Sequence, residues 1–563
     1  MTVPSRRRTR LRATLAAVLA GAGLALATVA VPSGAGQKFY PDDPLWKEPE
    51  TQDASKVEAW DIDLAVDLAT NLFGRPGDPT PDVRARNVNT VDEVPDSSWF
   101  TNRIGHRAVS IDEVVRGPVE TRGPDGREGW LVTHAKETGM SPGFTIRDGA
   151  GETWFVQFDA AGFPELATGS VVVASKIFWA LGYFQVEYHL VSVRPDQLRL
   201  DPEATFKPPS GSRRRIRQRD IVAVLARAHR NPDGSYRAVA GRAIPGKLLG
   251  GFRYYGTRPD DPNDVVPHEH RRELRALKVF GAWTNLVDMK AGNTLDTLVD
   301  VDGRGVVRHY LQDVGSTFGS SAIGNRDWDE GYDYLYQGKP LLVRAVFFGL
   351  PLPAWATVRY PDVAAIGRFE GEAFDPRAWK PRAPTAAFLR ARDDDTFWAA
   401  RRVAAFADPM LHAITRTGGF SDPRASTALA EVLIRRRDAI ARAYLPAVNP
   451  VVDVALTAGG GLTFRNAAVD AGVAEAPEGY AIEWARFDNA TGESTPLGGP
   501  TTATGLRAPA PALPAEPGAF VRVRIAATGG PTAWAQPVEA YFRRAAGGWT
   551  LVGLDRRSST PVD

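Results

Sequence analysis

Two β-rich runs, Thr294 to Val301 and Gly305 to Leu311, are joined across Asp302-Gly303. Asp-Gly suits a two-residue hairpin turn, whose central positions both take positive φ. A hairpin here brings the two stretches that flank it together. Before it stands Trp283-Thr-Asn-Leu-Val-Asp288-Met-Lys290-Ala-Gly-Asn293. After it stands His309-Tyr-Leu-Gln-Asp313-Val-Gly315. The hairpin therefore predicts that Asp288, Lys290 and Asn293 lie beside Asp313. Asp and Asn are also ordinary turn formers, which is the plain reading of the same residues.

The order of these groups has a chemical meaning. One Asp can orient an acceptor hydroxyl, while an Asn and a second Asp hold metal ions between phosphates. Asp288-Met-Lys290-Ala-Gly-Asn293 resembles the catalytic loop of protein kinases, and Asp313-Val-Gly315 resembles their metal-binding Asp-Phe-Gly. Leu286-Val287 stands where ordinary kinases carry His-Arg, a departure that points to atypical kinase-like proteins of the CotH and HipA types. The resemblance is strong from Phe280 to Gly319 and weaker from Gly129 to Leu445. It implies a secreted bacterial member of the atypical kinase-like superfamily. It also implies that Asp288 orients or deprotonates the acceptor and that Lys290 neutralises phosphoryl charge. Asn293 and Asp313 would bind Mg²⁺ or Mn²⁺, with ATP or another nucleotide as donor. Hard oxygen donors suit those ions and not zinc.

Upstream, the pattern reads as a small lobe. Trp130 to Ala135 is a strand, and Phe144 to Arg147 and Trp154 to Phe158 form a hairpin around Gly149-Ala-Gly151. Thr168 to Leu181 is a helix stopped at Gly182, and Val186 to Val193 is a strand. Gly139-Met-Ser-Pro-Gly143 is a turn placed to lie over phosphates. A kinase needs a strand lysine held by a helix glutamate to grip the nucleotide. Gln157 occupies that strand position, and the helix carries Lys176 but no acid between Glu165 and Glu187. Either Lys136 or Lys176 reaches the phosphates, with Gly139, Gly143 and Gln157 lining the nucleotide, or the chain is a pseudokinase.

The first residues read as an export signal. Five arginines between Arg6 and Arg12 precede an apolar run from Ala13 to Val31, with small residues near Ala30 and Ala35 for cleavage. Signal removal takes the net charge from +2 to −3, because five arginines and no acidic residue leave. No basic excess then argues for nucleic acid, and no stable membrane span is expected after cleavage. The chain of 563 residues has no cysteine, which excludes disulfides.

The expected division is signal 1–36, an N-terminal segment 37–128, small lobe 129–200, large lobe with an insertion 201–447, and a β-sandwich 448–563. The fold class is α+β: a two-lobed protein-kinase-like core followed by an all-β immunoglobulin-like sandwich. In the N-terminal segment, Asp61 to Leu72 reads as a helix, and Trp99-Phe100 as an anchor onto the core. In the insertion, Ile221 to Ala228 is helical. Asp260 to Asp264 reads as a solvated turn, and His268-Glu269-His270 as polar residues opening a helix. Two His two residues apart would splay on a helix and not share a metal. Leu274, Leu277, Phe280 and Thr284 share the face that steers the chain into Asp288. Ser316 to Tyr332 sits where kinases keep their activation segment. Asp395 to Thr415 and Ala425 to Tyr444 are helices. After Asn449-Pro450, short strands with turn punctuation take over, with Trp484 and Trp549 in their core.

Three functions are compatible with these features: an exported kinase-like enzyme, a pseudokinase serving as an envelope binding module, and a structural or glycan-binding surface protein. With eight histidines and no Gly-x-Ser-x-Gly, no acyl-transfer constellation stands out. The acceptor, whether protein, sugar or lipid, is not encoded in any readable motif.

Overall fold

The computed structural model describes residues 37–135, 140–206, 212–336, 357–457 and 459–556. The chain opens with two short helices, α1 (Leu64–Ala69) and α2 (Ile111–Arg116). Strands β1 (Trp130–Ala135), β2 (Gly143–Arg147) and β3 (Thr153–Phe158) then run antiparallel. Trp154, Val156 and Phe158 are buried while Phe155 is exposed, the period-2 pattern of a one-sided strand. The turn between β2 and β3 closes on Asp148. Its carboxylate accepts from the Ala150 and Glu152 N–H groups and from Trp154 Nε1.

Helix α3 (Leu166–Leu181) is buried on almost every side, as befits a run with a single charge. Its first turn is capped from a distance. Asp159 accepts from the N–H groups of Glu165, Ala167 and Thr168 at 2.9–3.1 Å and from the Thr168 hydroxyl at 2.8 Å. The helix ends at Gly182, with φ of 127°, where a Cβ would collide with the Phe100 ring. This contact fastens the N-terminal segment to the core, and Trp99 and Phe100 are both buried there. The anchoring role expected of that pair is met.

Strands β4 (Tyr188–Val193), β5 (Leu198–Phe206) and β6 (Arg214–Arg215), helix α4 (Gln218–Leu225) and strand β7 (Tyr236–Arg242) follow. They complete a seven-stranded sheet of order β4-β7-β3-β2-β1-β5-β6. Strand β7, from the segment expected as an insertion in the large lobe, lies inside this sheet between β4 and β3. It is antiparallel to both β3 and β4. The sheet therefore extends past residue 200. Its buried alternate residues, among them Val132, Ile146, Trp154, Ala238 and Ala240, form a core of their own.

A short strand β8 (Lys247–Gly250) leads through helices α5 (Arg272–Arg275) and α6 (Leu277–Thr284) to the hairpin β9 (Leu295–Val301) and β10 (Arg304–Tyr310). Leu274, Leu277, Phe280 and Thr284 are buried as expected, but so is the rest of α6 except Lys278. The residues before α5 differ from expectation. His268, Glu269 and His270 form a buried 3₁₀ turn, and Asp261 and Asp264 are buried too. Asp264 bonds His268 Nε2 at 2.8 Å and the Arg258 N–H at 2.6 Å. A buried carboxylate must find such partners, and a neighbouring histidine supplies one.

The helices α7 (Ala386–Arg390), α8 (Asp393–Ala404), α9 (Asp408–Arg416) and α10 (Pro423–Tyr444) pack around α6. The single helix expected over 395–415 is two, parted at Phe406-Ala407 just before Asp408-Pro409. Proline suits the first turn of α9 and could not continue α8. Two antiparallel sheets close the chain. One is β13 (Val451–Leu456), β14 (Gly461–Asn466) and β18 (Arg507–Pro509). The other is built on β15 (Gly479–Phe487), flanked by β16 (Ser494–Pro496) and β17 (Thr501–Ala503), with β19 (Phe520–Thr528), β20 (Val538–Ala545) and β21 (Gly548–Arg556). Trp484 is buried in their core, while Trp549 packs at its margin half-exposed. Asn449 ties the joint to this unit, its amide donating to the carbonyls of Ile525, Trp534 and Gln536.

Candidate active site

Helix α6 stops because Asn285 turns into the left-handed region, with φ of 54°. Asparagine tolerates that conformation better than other L-residues with a polar tip. Its side-chain oxygen also accepts from Trp379 Nε1 at 2.8 Å, which holds the turn. Three residues on, Asp288 is partly buried, its side chain 18% exposed. Lys290 Nζ pairs with Asp288 Oδ2 at 2.9 Å. Burial alone would raise the Asp288 pKa. The nearby charges of Lys290 and Arg326 and a hydrogen bond from Asn293 outweigh it, so the carboxylate is held below its usual range.

Asn293 ends a 3₁₀ turn and joins the two halves of the site. Its amide donates to the Asp288 carbonyl at 2.7 Å, and its own carbonyl accepts the Asp313 N–H at 3.0 Å. The hairpin between them pairs Leu295 with Tyr310 through Val301 with Arg304. Asp302 and Gly303 both take positive φ at its turn, 54° and 78°. Beneath it, Asp296 bonds His309 Nδ1 at 2.7 Å, and Trp99 stacks on the His309 ring at 3.5 Å. The hairpin is thus fixed to the N-terminal segment as well as to the core. Asp313 is exposed, and its Oδ1 accepts the Gly315 N–H at 2.9 Å. Asp288, Lys290, Asn293 and Asp313 are brought together in the order that the hairpin demanded.

Asp313 opens onto a narrow cleft under the seven-stranded sheet. The cleft holds about 60 Å³ and is lined by Gln157 of β3, Thr168 and Val171 of α3, Tyr188 of β4, and Gly315 and Ser316. Burial, with the Asp313 charge added, pushes the Tyr188 phenol well above its usual pKa. Gln157 therefore stands at the cleft, where the sequence placed it. Among the described residues, the lining carries no lysine or arginine.

The other nucleotide-side candidates do not reach it. Lys176 is buried, and its ammonium donates to the carbonyls of Val115 and, at 3.1 Å, Arg116, at the C-terminal end of α2. There it satisfies orphan helix carbonyls, so the expectation of a phosphate contact from Lys176 is corrected. Gly143 lies within β2, and a Cβ there would collide with the Val156 carbonyl. Strand packing, not phosphate approach, requires it to be glycine. Lys136 and Gly139 lie outside the described residues.

Two residues that sequence reading assigned no role complete the site. Arg326 donates through Nη2 to Ser316 Oγ, through Nε to the Ser320 carbonyl at 3.1 Å, and through Nη1 to Glu330 Oε1 at 3.4 Å. Burial raises the Glu330 pKa despite the nearby Arg326 and Arg382, and the Asp288 charge adds to the rise. Glu330 also lines a second cavity of about 240 Å³, with Asn285, Tyr332, Trp379 and Arg436. Arg326 and Glu330 stand four residues apart outside any helix, so no local pattern signals the pair.

Among the described residues no three His, Asp or Glu side chains are placed to share a metal ion. Asn293 and Asp313 offer two hard oxygen donors. Asp313 Oδ2 has no hydrogen-bond or ion-pair partner among the described residues. That set fits Mg²⁺ or Mn²⁺, which take one or two protein oxygens and fill the rest of their shell with phosphate and water.

No protein-family model matches the chain, and no curated protein matches it. Among solved structures, similarity is found to the Golgi casein kinase with Mn/ADP bound, at 8% identity and a TM-score of 0.28, covering 59% of this chain and 75% of that one. A second structure of the Golgi casein kinase aligns at 8% identity and a TM-score of 0.29, over 71% of this chain and 94% of that one. Similarity at this level carries no argument about this chain.

Proposed function

We propose that the chain is an exported, atypical kinase-like protein that moves a phosphoryl group from a nucleotide to an acceptor. The observation that carries this reading is the pair of hydrogen bonds at Asn293, whose amide donates to the Asp288 carbonyl and whose carbonyl accepts the Asp313 N–H. It joins the Asp288 loop to Asp313 at the mouth of a cleft. Asn293 and Asp313 would hold Mg²⁺ or Mn²⁺, which when bound neutralises phosphate charge.

Asp288 orients the acceptor hydroxyl and takes its proton. The acceptor oxygen forms a bond to the terminal phosphorus, and the bond from that phosphorus to the bridging oxygen breaks. The nucleoside diphosphate leaves with that electron pair. Lys290, half-exposed beside Asp288, stabilises charge on the transferring group. Protein, sugar and lipid all remain open as acceptors.

A second reading, a pseudokinase that binds nucleotide or metal as an envelope module, is favoured by the absence of a lysine or arginine along the described cleft lining. One experiment separates the readings. Thermal unfolding is followed with ATP and Mg²⁺ or Mn²⁺, and phosphate release is measured in the same samples. Stabilisation with release supports the enzyme. Stabilisation without release supports the pseudokinase. No response with either metal overturns both.

A further inference from the structure

We infer that Arg326 is the cation that grips the terminal phosphate of the nucleotide, in place of the absent strand lysine. This rests on the kinase-like reading above and adds to it the group that the cleft lining lacks. Two observations carry it. Arg326 donates to Ser316 Oγ, and Ser316 lines the same cleft as Asp313 and Gln157. It also meets Glu330, which lines the second cavity, so the guanidinium is bonded to one lining residue of each space. Arg326 thus lies one side chain behind the cleft onto which Asp313 opens.

The geometry leaves it capacity to bind. A guanidinium carries five N–H donors in a rigid fork. Nε and Nη2 are engaged at Ser320 and Ser316, while the two contacts to Glu330, from Nη1 at 3.4 Å and from Nε at 3.3 Å, are long. A phosphate oxygen is a stronger acceptor at the range of a normal charge-assisted bond. The side chain is nearly buried, and the hairpin of β11 (Ser320–Ser321) and β12 (Gly324–Asn325) fixes the backbone before it. Arg326 is therefore preorganised and pays little ordering entropy on binding. During transfer it donates hydrogen bonds to oxygens on phosphorus and exchanges no proton.

The test compares Mn²⁺-ATP, Mn²⁺-ADP and AMP binding by calorimetry in wild type, Arg326→Gln, Glu330→Gln and Asp313→Ala. Arg326→Gln should lower the preference for ATP over AMP about ten-fold to a hundred-fold, with AMP binding unchanged. Glu330→Gln removes the competing carboxylate and should raise that preference. An unchanged ratio in both variants, or equal loss of ATP and AMP in Arg326→Gln, overturns the inference while the kinase-like reading stands on Asp313→Ala. If Arg326→Gln does not fold, Glu330→Gln decides alone. A wild type that binds no nucleotide overturns both.

Discussion

The backbone N–H of Asp313 donates to the carbonyl of Asn293 at 3.0 Å, although twenty residues separate them. That bond makes the loop before the hairpin and the strand after it one unit. Asn293→Ala keeps the backbone bond but loses the amide that holds the Asp288 carbonyl. The expected cost is about 1 kcal/mol of stability, with loss of metal-dependent nucleotide binding. Urea denaturation and a metal–nucleotide titration of the same variant measure the two effects.

Lys176 predicts a pH dependence. Its pKa is lowered by burial from 10.5 to about 8. Below pH 8 both states are protonated, and the folded state bears the full cost of a buried charge. Between pH 8 and 10.5 the folded protein releases its proton first. The unfolded chain then binds more protons, so stability rises with pH. Wild type should gain up to about 3 kcal/mol across that window relative to Lys176→Met. Denaturation curves at pH 7.5 and 10.5 for both proteins give the difference directly.

Gly182 is required twice, by its φ of 127° and by the Phe100 ring. Gly182→Ala should destabilise by about 3 kcal/mol or more, the scale of strain added to overpacking. It should also loosen the N-terminal segment, so proteolysis near Trp99 should quicken. A variant with wild-type melting temperature and wild-type cleavage would contradict the role given to this contact.

These cases show which features were legible in the sequence. The hairpin was, because Asp302-Gly303 sits between two β-rich runs and local turn chemistry suffices. The stop at Gly182 and the gathering of Asp288, Asn293 and Asp313 followed from such local signals. What escaped depends on distant partners. Tyr236–Arg242 was not placed beside β3, because its neighbours come from 80 residues upstream. Asp264 reads in sequence as a solvated turn residue, but His268 and Arg258 surround it in the fold. Lys176 looked free to reach a nucleotide, yet α2 supplies its acceptors. Arg326 carried no motif, since its meaning lies in Ser316 and Asp288 across the fold.

Gln157 lines the cleft with Asp313, so Gln157→Lys would introduce the missing ammonium there. With no glutamate on α3 to hold it, the gain should be partial. Nucleotide affinity should tighten roughly three- to ten-fold, near the 1 kcal/mol of a partly solvated ion pair. Calorimetry with Mn²⁺-ADP reads this without requiring turnover.

The central claim is that Asn293 and Asp313 hold a metal ion against a nucleotide. Calorimetric titration of wild type and Asp313→Ala with ATP in the presence of Mn²⁺ tests it most directly. The expected result is saturable, metal-dependent binding in wild type that Asp313→Ala abolishes, with Asp288→Asn still binding. Equal heats from wild type and Asp313→Ala, or none from either, would contradict the account.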